Sequence, residues 1–138
     1  MSTDLMKSLA ISASGMKAQG TRLRIISENL ANANSTAPSP GDLPYRRKVV
    51  LFQNALDREL GLDTVQVKKI DVDRSDFQRR YDPGHPSADA DGYVLMPNVS
   101  TLVESMDMRE AQRSYEANLN VIESTRQMIM RTVDLLRN

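Results

Sequence analysis

Two stretches, one at each end of the 138-residue chain, carry apolar residues at helical spacing with no proline inside them, and each is too long to be wrapped by a compact domain of this size. In residues 4–33, Leu5, Leu9, Ser12, Met16, Gln19, Leu23, Ile26 and Leu30 follow one another at steps that settle into alternating three and four, a heptad seam. Two of its members are polar, and Gly15 and Gly20 each cost about 1 kcal/mol relative to alanine in a helix interior, so this helix is marginal alone. Its small residues, Ala10, Ala13, Ser14, Gly15 and Ala18, let a neighbouring helix come close.

Residues 99–137 form the second pattern, opened by Thr101-Leu-Val-Glu104, which has the form of a capping box. One stripe runs Met108, Ala111, Tyr115, Asn118, Ile122, Thr125, Ile129, Thr132, Leu136; an offset stripe collects Leu119, Val121, Met128, Val133 and Leu135. At 1.5 Å per residue the two helices extend about 45 and 55 Å, which suggests a rod. Apolar residues on more than one face call for several neighbours at once.

The middle differs. Ala37-Pro-Ser-Pro-Gly-Asp-Leu-Pro44 is a proline-dense break, and Tyr45-Arg-Arg-Lys-Val-Val-Leu-Phe52 reads as a strand. Val65 and Val67 alternate, then Ile70 and Val72 alternate out of phase, predicting two short strands or one strand bulged near Lys68 and Lys69. Tyr81-Asp-Pro-Gly-His-Pro86 is rich in turn formers, and Gly92–Pro97 is a last extended piece. The expected fold is mainly α with a small β insert: an N-terminal helix in 1–36, a β-rich insert with a Pro-rich leading loop in 37–98, and a C-terminal helix in 99–138.

Chemistry finds little to stand on. Eighteen basic residues balance eighteen acidic ones and no third of the chain is strongly charged, so phosphate tracking on nucleic acid has no support. With no cysteine and one histidine there is no thiolate nucleophile, no disulfide and no imidazole cluster. The Gly15-to-Gly20 spacing followed by Thr21 lacks the lysine of a phosphate loop and lies inside a heptad pattern. Ser87-Ala-Asp-Ala-Asp91-Gly92 resembles a calcium loop in outline, but serine holds the first ligand place and Asn98 the place of the bidentate glutamate, so an acidic turn is expected. His85, in a turn, is expected to be solvated. The residues imply no enzyme, cofactor or metal. No apolar run reaches the length of a membrane span, and the N-terminus has no evident cleaved secretory signal.

Ser27-Glu-Asn29-Leu30-Ala-Asn32-Ala-Asn34-Ser-Thr36 resembles the asparagine-rich motif of the bacterial flagellar rod and hook axial protein family. Met106-Asp-Met-Arg-Glu-Ala111-Gln-Arg113-Ser-Tyr115-Glu-Ala-Asn118-Leu resembles the terminal helix of the same family, and Tyr81–Pro86 with Gly92-Tyr-Val94 and Met96–Val99 resembles its proximal-rod members. The resemblance implies that the terminal helices pair as an antiparallel coiled coil lining an axial tube, with the insert as an outer layer. The interface residues would then be Leu5, Leu9, Met16, Leu23, Ile26 and Leu30 on the first helix and Met108, Ala111, Tyr115, Asn118, Ile122, Ile129, Val133 and Leu136 on the second.

The same resemblance implies a structural subunit of the proximal rod, in the periplasmic part of the basal body, exported by the flagellar type III apparatus without a cleaved signal. Its partners would be other copies of itself, related rod proteins, base-adaptor and MS-ring components and the export apparatus, with no nucleic acid and no membrane insertion. Phe52-Gln-Asn-Ala-Leu56 is similar to the family's hydrophobic export-gate motif, although core packing of Phe52 and Leu56 is the plainer expectation. Asn29, Asn32 and Asn34 are expected to end the first helix and bond backbone in the following turn, where asparagine tolerates left-handed geometry. The competing reading is a soluble coiled-coil adaptor that does not polymerise.

Overall fold

A computed structural model describes residues 2–138. Helix α1 (Ser2–Ala31) is followed by strands β1 (Lys48–Asp57), β2 (Leu62–Val72), β3 (Gln78–Tyr81) and β4 (Tyr93–Met96), and the chain closes with helix α2 (Thr101–Arg137). The strands form two separate antiparallel pairs, β1 with β2 and β3 with β4. Two long helices with a small two-sheet insert between them is the architecture, as the periodicity implied.

The ends of the helices depart from expectation. After α1 the chain turns through Ser35 N–H donating to Asn32 O (3.0 Å), while Asn32 Nδ2 donates to Glu28 O (2.9 Å) and Ser35 Oγ to Asn32 Oδ1 (3.0 Å). Asn32 thus terminates the helix from its side chain. No asparagine adopts left-handed geometry, however: among the described residues only glycines have positive φ. At α2 the N-cap is Ser100, whose Oγ accepts from Val103 N, so the helix opens one residue earlier than a Thr101 capping box requires. Glu104 is freed from capping and turns its side chain into the interior.

Strand β1 begins and ends later than Tyr45–Phe52. Pairing with β2 carries it through the polar Gln53 and Asn54 to Asp57, whose Oδ1 accepts from Glu59 N (3.0 Å) and Leu60 N (3.2 Å) and so builds the hairpin turn. Gly61 closes that turn at φ +62, which glycine adopts without a Cβ penalty. The phase slip in β2 is a single bulge: Leu51 pairs with Lys69 and Phe52 with Val67, leaving Lys68 as the extra residue. The smaller sheet is held by an edge-to-face contact of Tyr81 with Tyr93 (5.3 Å between ring centres) and by Arg79 over the Tyr93 ring.

The connecting loops are tied by His85. Its ring is half-buried rather than solvated: Ser87 N–H donates to Nδ1 (3.1 Å), Ser87 Oγ lies 2.7 Å from the same nitrogen, and Nε2 lies 3.3 Å from Thr36 Oγ1. Because Nδ1 accepts a backbone N–H, the neutral ring carries its proton on Nε2 and donates to Thr36. Asp89 Oδ1 caps the neighbouring turn by accepting from Asp91 N and Tyr93 N. The buried apolar residues are few and mostly small: Ala18, Ile25, Ile26, Ala33, Ala37, Val94 and Ala111.

Candidate assembly interface

The two helices meet along their length in opposite directions. Asn29 touches Glu104, Arg22 Nη2 lies 3.8 Å from Asp107 Oδ1 and 3.7 Å from Glu110 Oε2, Gly20 faces Tyr115, and Gly15 faces Asn118. Each step back along α1 is a step forward along α2. The stripe Met108, Ala111, Tyr115, Asn118, Ile122, Thr125 and Ile129 is the covered side of α2, with every member buried or half-buried, and on α1 Leu5, Leu9, Met16, Leu23, Ile26 and Leu30 are covered likewise. The contact is thin in apolar mass. Ser12 and Thr125 are buried in the helices, and Gln19 Oε1 is a buried acceptor without a partner. Ile25 and Ile26 are buried on α1 but no large apolar side chain is buried on α2, so the seam collects few of the roughly 1.5–3 kcal/mol contributions that a fully buried leucine or isoleucine makes.

Beyond Ile129 the stripe runs out of cover. Residues 130–138 are all exposed, Val133 and Leu136 among them, and Leu136 keeps 83% of its surface. The offset stripe is open over its full length, with Val121 43%, Met128 54% and Leu135 79% exposed. Of the methionines on the helices, Met16 and Met108 fill the helix contact, whereas Met106, Met128 and Met130 point outward.

The insert adds a second open apolar surface. Val50 pairs with Ile70 and Phe52 with Val67, so four apolar side chains share one face across the bulge. Phe52 stays 39% and Leu56 63% exposed, which overturns the expectation that they pack in a core. Both strands of the hairpin lie against α1, tied by Val65 N–H donating to Ser14 Oγ (3.3 Å), by the Lys48 backbone bonded to Asn29 and by Lys48 Nζ beside Glu28 Oε2 (3.3 Å), yet Phe52, Leu56, Val65 and Ile70 remain exposed.

Where α1, the insert and α2 converge lies a polar junction. Asn29 is 1% exposed and fully engaged: Oδ1 accepts from Tyr45 Oη (2.7 Å) and Lys48 N (2.9 Å), and Nδ2 donates to Lys48 O (2.8 Å) and Glu104 Oε2 (3.2 Å). It bridges elements and does not cap the helix. Asn34 is exposed, outside this network. Glu104, completely buried, is the largest fully buried side chain among the described residues, and Arg47 Nε donates to its Oε1.

Arg47 also reaches Asp73 Oδ2 (3.3 Å) and Asp107 Oδ2 (3.4 Å), while its backbone N–H donates to Asn98 Oδ1 (2.7 Å). Burial works against its charge, but the hydrogen bond and charge of Glu104, then those of Asp73, raise the Arg47 pKa above its ordinary value. Burial first, and then the charges of Glu28 and Glu104, push the Tyr45 hydroxyl up, keeping it a neutral donor to Asn29. N–H and hydroxyl donation from Ser75, aided by Arg47, holds Asp73 below the usual carboxylate range.

Of the motif residues, Asn29, Leu30, Tyr115 and Asn118 lie in or beside the helix contact, and Arg113 is on the exposed side of α2. No local pattern in the sequence signals the junction formed by Arg47, Asp73 and Asn98. Arg46-Arg47-Lys48 has the form of a solvated basic run, and Glu104 that of a helix-start acid.

Known families match both ends of this chain, and known proteins match most of its length. Residues 9–37 match the family described as flagella basal body rod protein, and residues 90–135 match the flagellar basal body rod FlgEFG protein C-terminal family. The flagellar basal-body rod protein FlgC of Agrobacterium fabrum is 57% identical over 127 residues, covering 92% of this chain and 91% of that protein. FlgC of Salmonella typhimurium is 40% identical over 95% of this chain and 97% of its own length, and FlgC of Bacillus subtilis 38% over 93% and 95%.

Proposed function

This chain belongs to the flagellar basal-body rod protein FlgC family, a structural rod subunit and not an enzyme, and from that premise we propose that it builds the proximal rod by polymerising through surfaces the single chain leaves open. The carrying observation is the outer stripe of α2. Val121, Met128 and Leu135 form an apolar line on a helix whose other side is already taken by α1. A helix apolar on two sides buries both only in an assembly.

In this reading the helices of 1–36 and 99–138 form one antiparallel coiled-coil unit that lines the axial tube, and residues 37–98 form the outer layer. Neighbouring copies and related rod proteins cover Val121, Met128, Leu135 and the overhanging Val133 and Leu136. Heterologous contacts of this kind, whose rotation does not close a ring, generate a helix of subunits. Base-adaptor and MS-ring components would meet one end of that helix in the periplasmic space. Phe52 and Leu56, open on the hairpin, are available to the type III export apparatus before assembly and to a neighbour afterwards.

The test is a Val121→Glu/Met128→Glu variant in place of the native chain in a motile bacterium. The expected result is a folded, exported subunit, normal by circular dichroism, with no completed rods and no motility. Intact rods would refute the polymerisation surface and favour a non-polymerising adaptor.

A further inference from the structure

We propose that the buried Glu104–Arg47 pair is an interlock that makes pairing of the two terminal helices conditional on folding of the β insert. Glu104 belongs to α2 and bonds Asn29 of α1, and its carboxylate is out of water where the two helices and the insert meet. Among the described residues, its hydrogen-bond partners there are Asn29 Nδ2 from α1 and Arg47 Nε from the insert. A buried carboxylate with one amide donor and no counter-charge is strongly unfavourable, whereas the same carboxylate with a guanidinium is tolerated.

Arg47 reaches Glu104 only when the insert is in place. Its backbone is fixed on both sides by other parts of the insert, since its N–H donates to Asn98 Oδ1 and its carbonyl accepts from Asp73 N (2.8 Å). Asn98 Nδ2 in turn donates to Asp73 O (2.9 Å), closing the clamp around the ends of β2 and β4. Asn29 repeats the dependence: three of its four bonds go to Tyr45 and Lys48. With the insert unfolded, helix pairing would strand a carboxylate and an amide together, and the seam between the helices, with Ser12 and Thr125 buried in it and Ile25 and Ile26 as its buried large apolar side chains, has little apolar burial to offset them. The helices therefore stay apart until the insert has folded, which keeps their apolar stripes from pairing out of turn.

The chain contains no cysteine, so an engineered pair reports helix pairing cleanly. A Cβ at residue 15 lies 3.2 Å from Asn118 Cγ, suitable for a disulfide in a Gly15→Cys/Asn118→Cys chain. This reporter is about 20 Å along α1 from Asn29. Its effective thiol concentration is measured in the monomer against a glutathione redox buffer.

Adding Arg47→Met should lower that value at least about tenfold, and Arg47→Met with Glu104→Met should return it to within about threefold of the parent, because the charge needing a partner is gone. An unchanged reporter in Arg47→Met overturns the interlock. So does failure of the double variant to recover, which would mean that Arg47 acts only through the fold of the insert. A parent that forms no intramolecular disulfide overturns it as well. None of these outcomes bears on whether the open α2 stripe polymerises.

Discussion

An alanine Cβ at residue 15 would lie 2.9 Å from Asn118 Nδ2, so the glycine of α1 and the asparagine of α2 set each other's approach. Asn118 bends back along its own helix, Nδ2 donating to Ser114 O (3.0 Å), and fills the space that the missing side chain leaves. Gly15→Ala should therefore destabilise the helix pair, the overlap outweighing the gain of about 1 kcal/mol in helix propensity. In an Asn118→Ala background the same substitution should stabilise by about that amount. Thermal unfolding of the four chains checks the reversal of sign; two effects of equal sign would mean that the contact sets nothing.

Asn32→Leu removes the bonds to Glu28 O and Ser35 and with them the side-chain stop of α1. A loss of about 1 kcal/mol, the usual cost of a lost cap, is expected, together with faster amide exchange in residues 32–36. Subunit levels should hold while rod assembly fails. Normal rods in that variant would count against this role.

Phe52→Ser and Leu56→Ser remove exposed side chains, so the purified chain should lose less than about 1 kcal/mol. A fall in the amount of subunit secreted would assign the pair to export; normal secretion with fewer completed rods would assign it to a neighbour contact. A loss of several kcal/mol would restore the core reading that the exposure contradicts.

Asp73 has a depressed pKa in the folded chain, so its contribution to stability is present above the unfolded carboxylate pKa near 3.9 and is lost as pH falls through the lower folded value. Denaturant midpoints should accordingly decline through and below pH 4, and Asp73→Asn should flatten that part of the profile. A variant with the same acid slope as the parent would remove Asp73 from the cause.

His85→Ala cuts the link from Thr36 to Ser87. Exchange of amides in 36–45 and 85–89 should accelerate together while the helices are unaffected. Acceleration on one side alone would show that the loops are held by other contacts.

Both helices were legible because a period sustained over many turns has no other explanation, and the bulge was legible because alternation in β2 changes phase at Lys68. The extension of β1 through Gln53 and Asn54 was not, since a hairpin exposed on both faces need not alternate. Asn32 lies at the end of α1 with partners three and four residues away, Ser35 Oγ and Glu28 O, which is within reach of a local reading, although the left-handed geometry expected of it is absent. Asn29 carries the same residue type in the same motif, yet its partners are 16 to 75 residues distant, and no local pattern encodes that. Glu104 was hidden for the same reason: the first turn of a helix favours an acid there whether or not a guanidinium waits in the interior.

The chain has unlike ends. Where α1 stops, the loops, the small sheet and the charged junction crowd together; at the other end α2 runs on bare past its partner helix. A body so built has polarity, and stacking it head to tail leaves the same kind of end outermost after every addition. In the proposed assembly, growth of such a column would be vectorial, with its direction set by the unlike ends of each subunit.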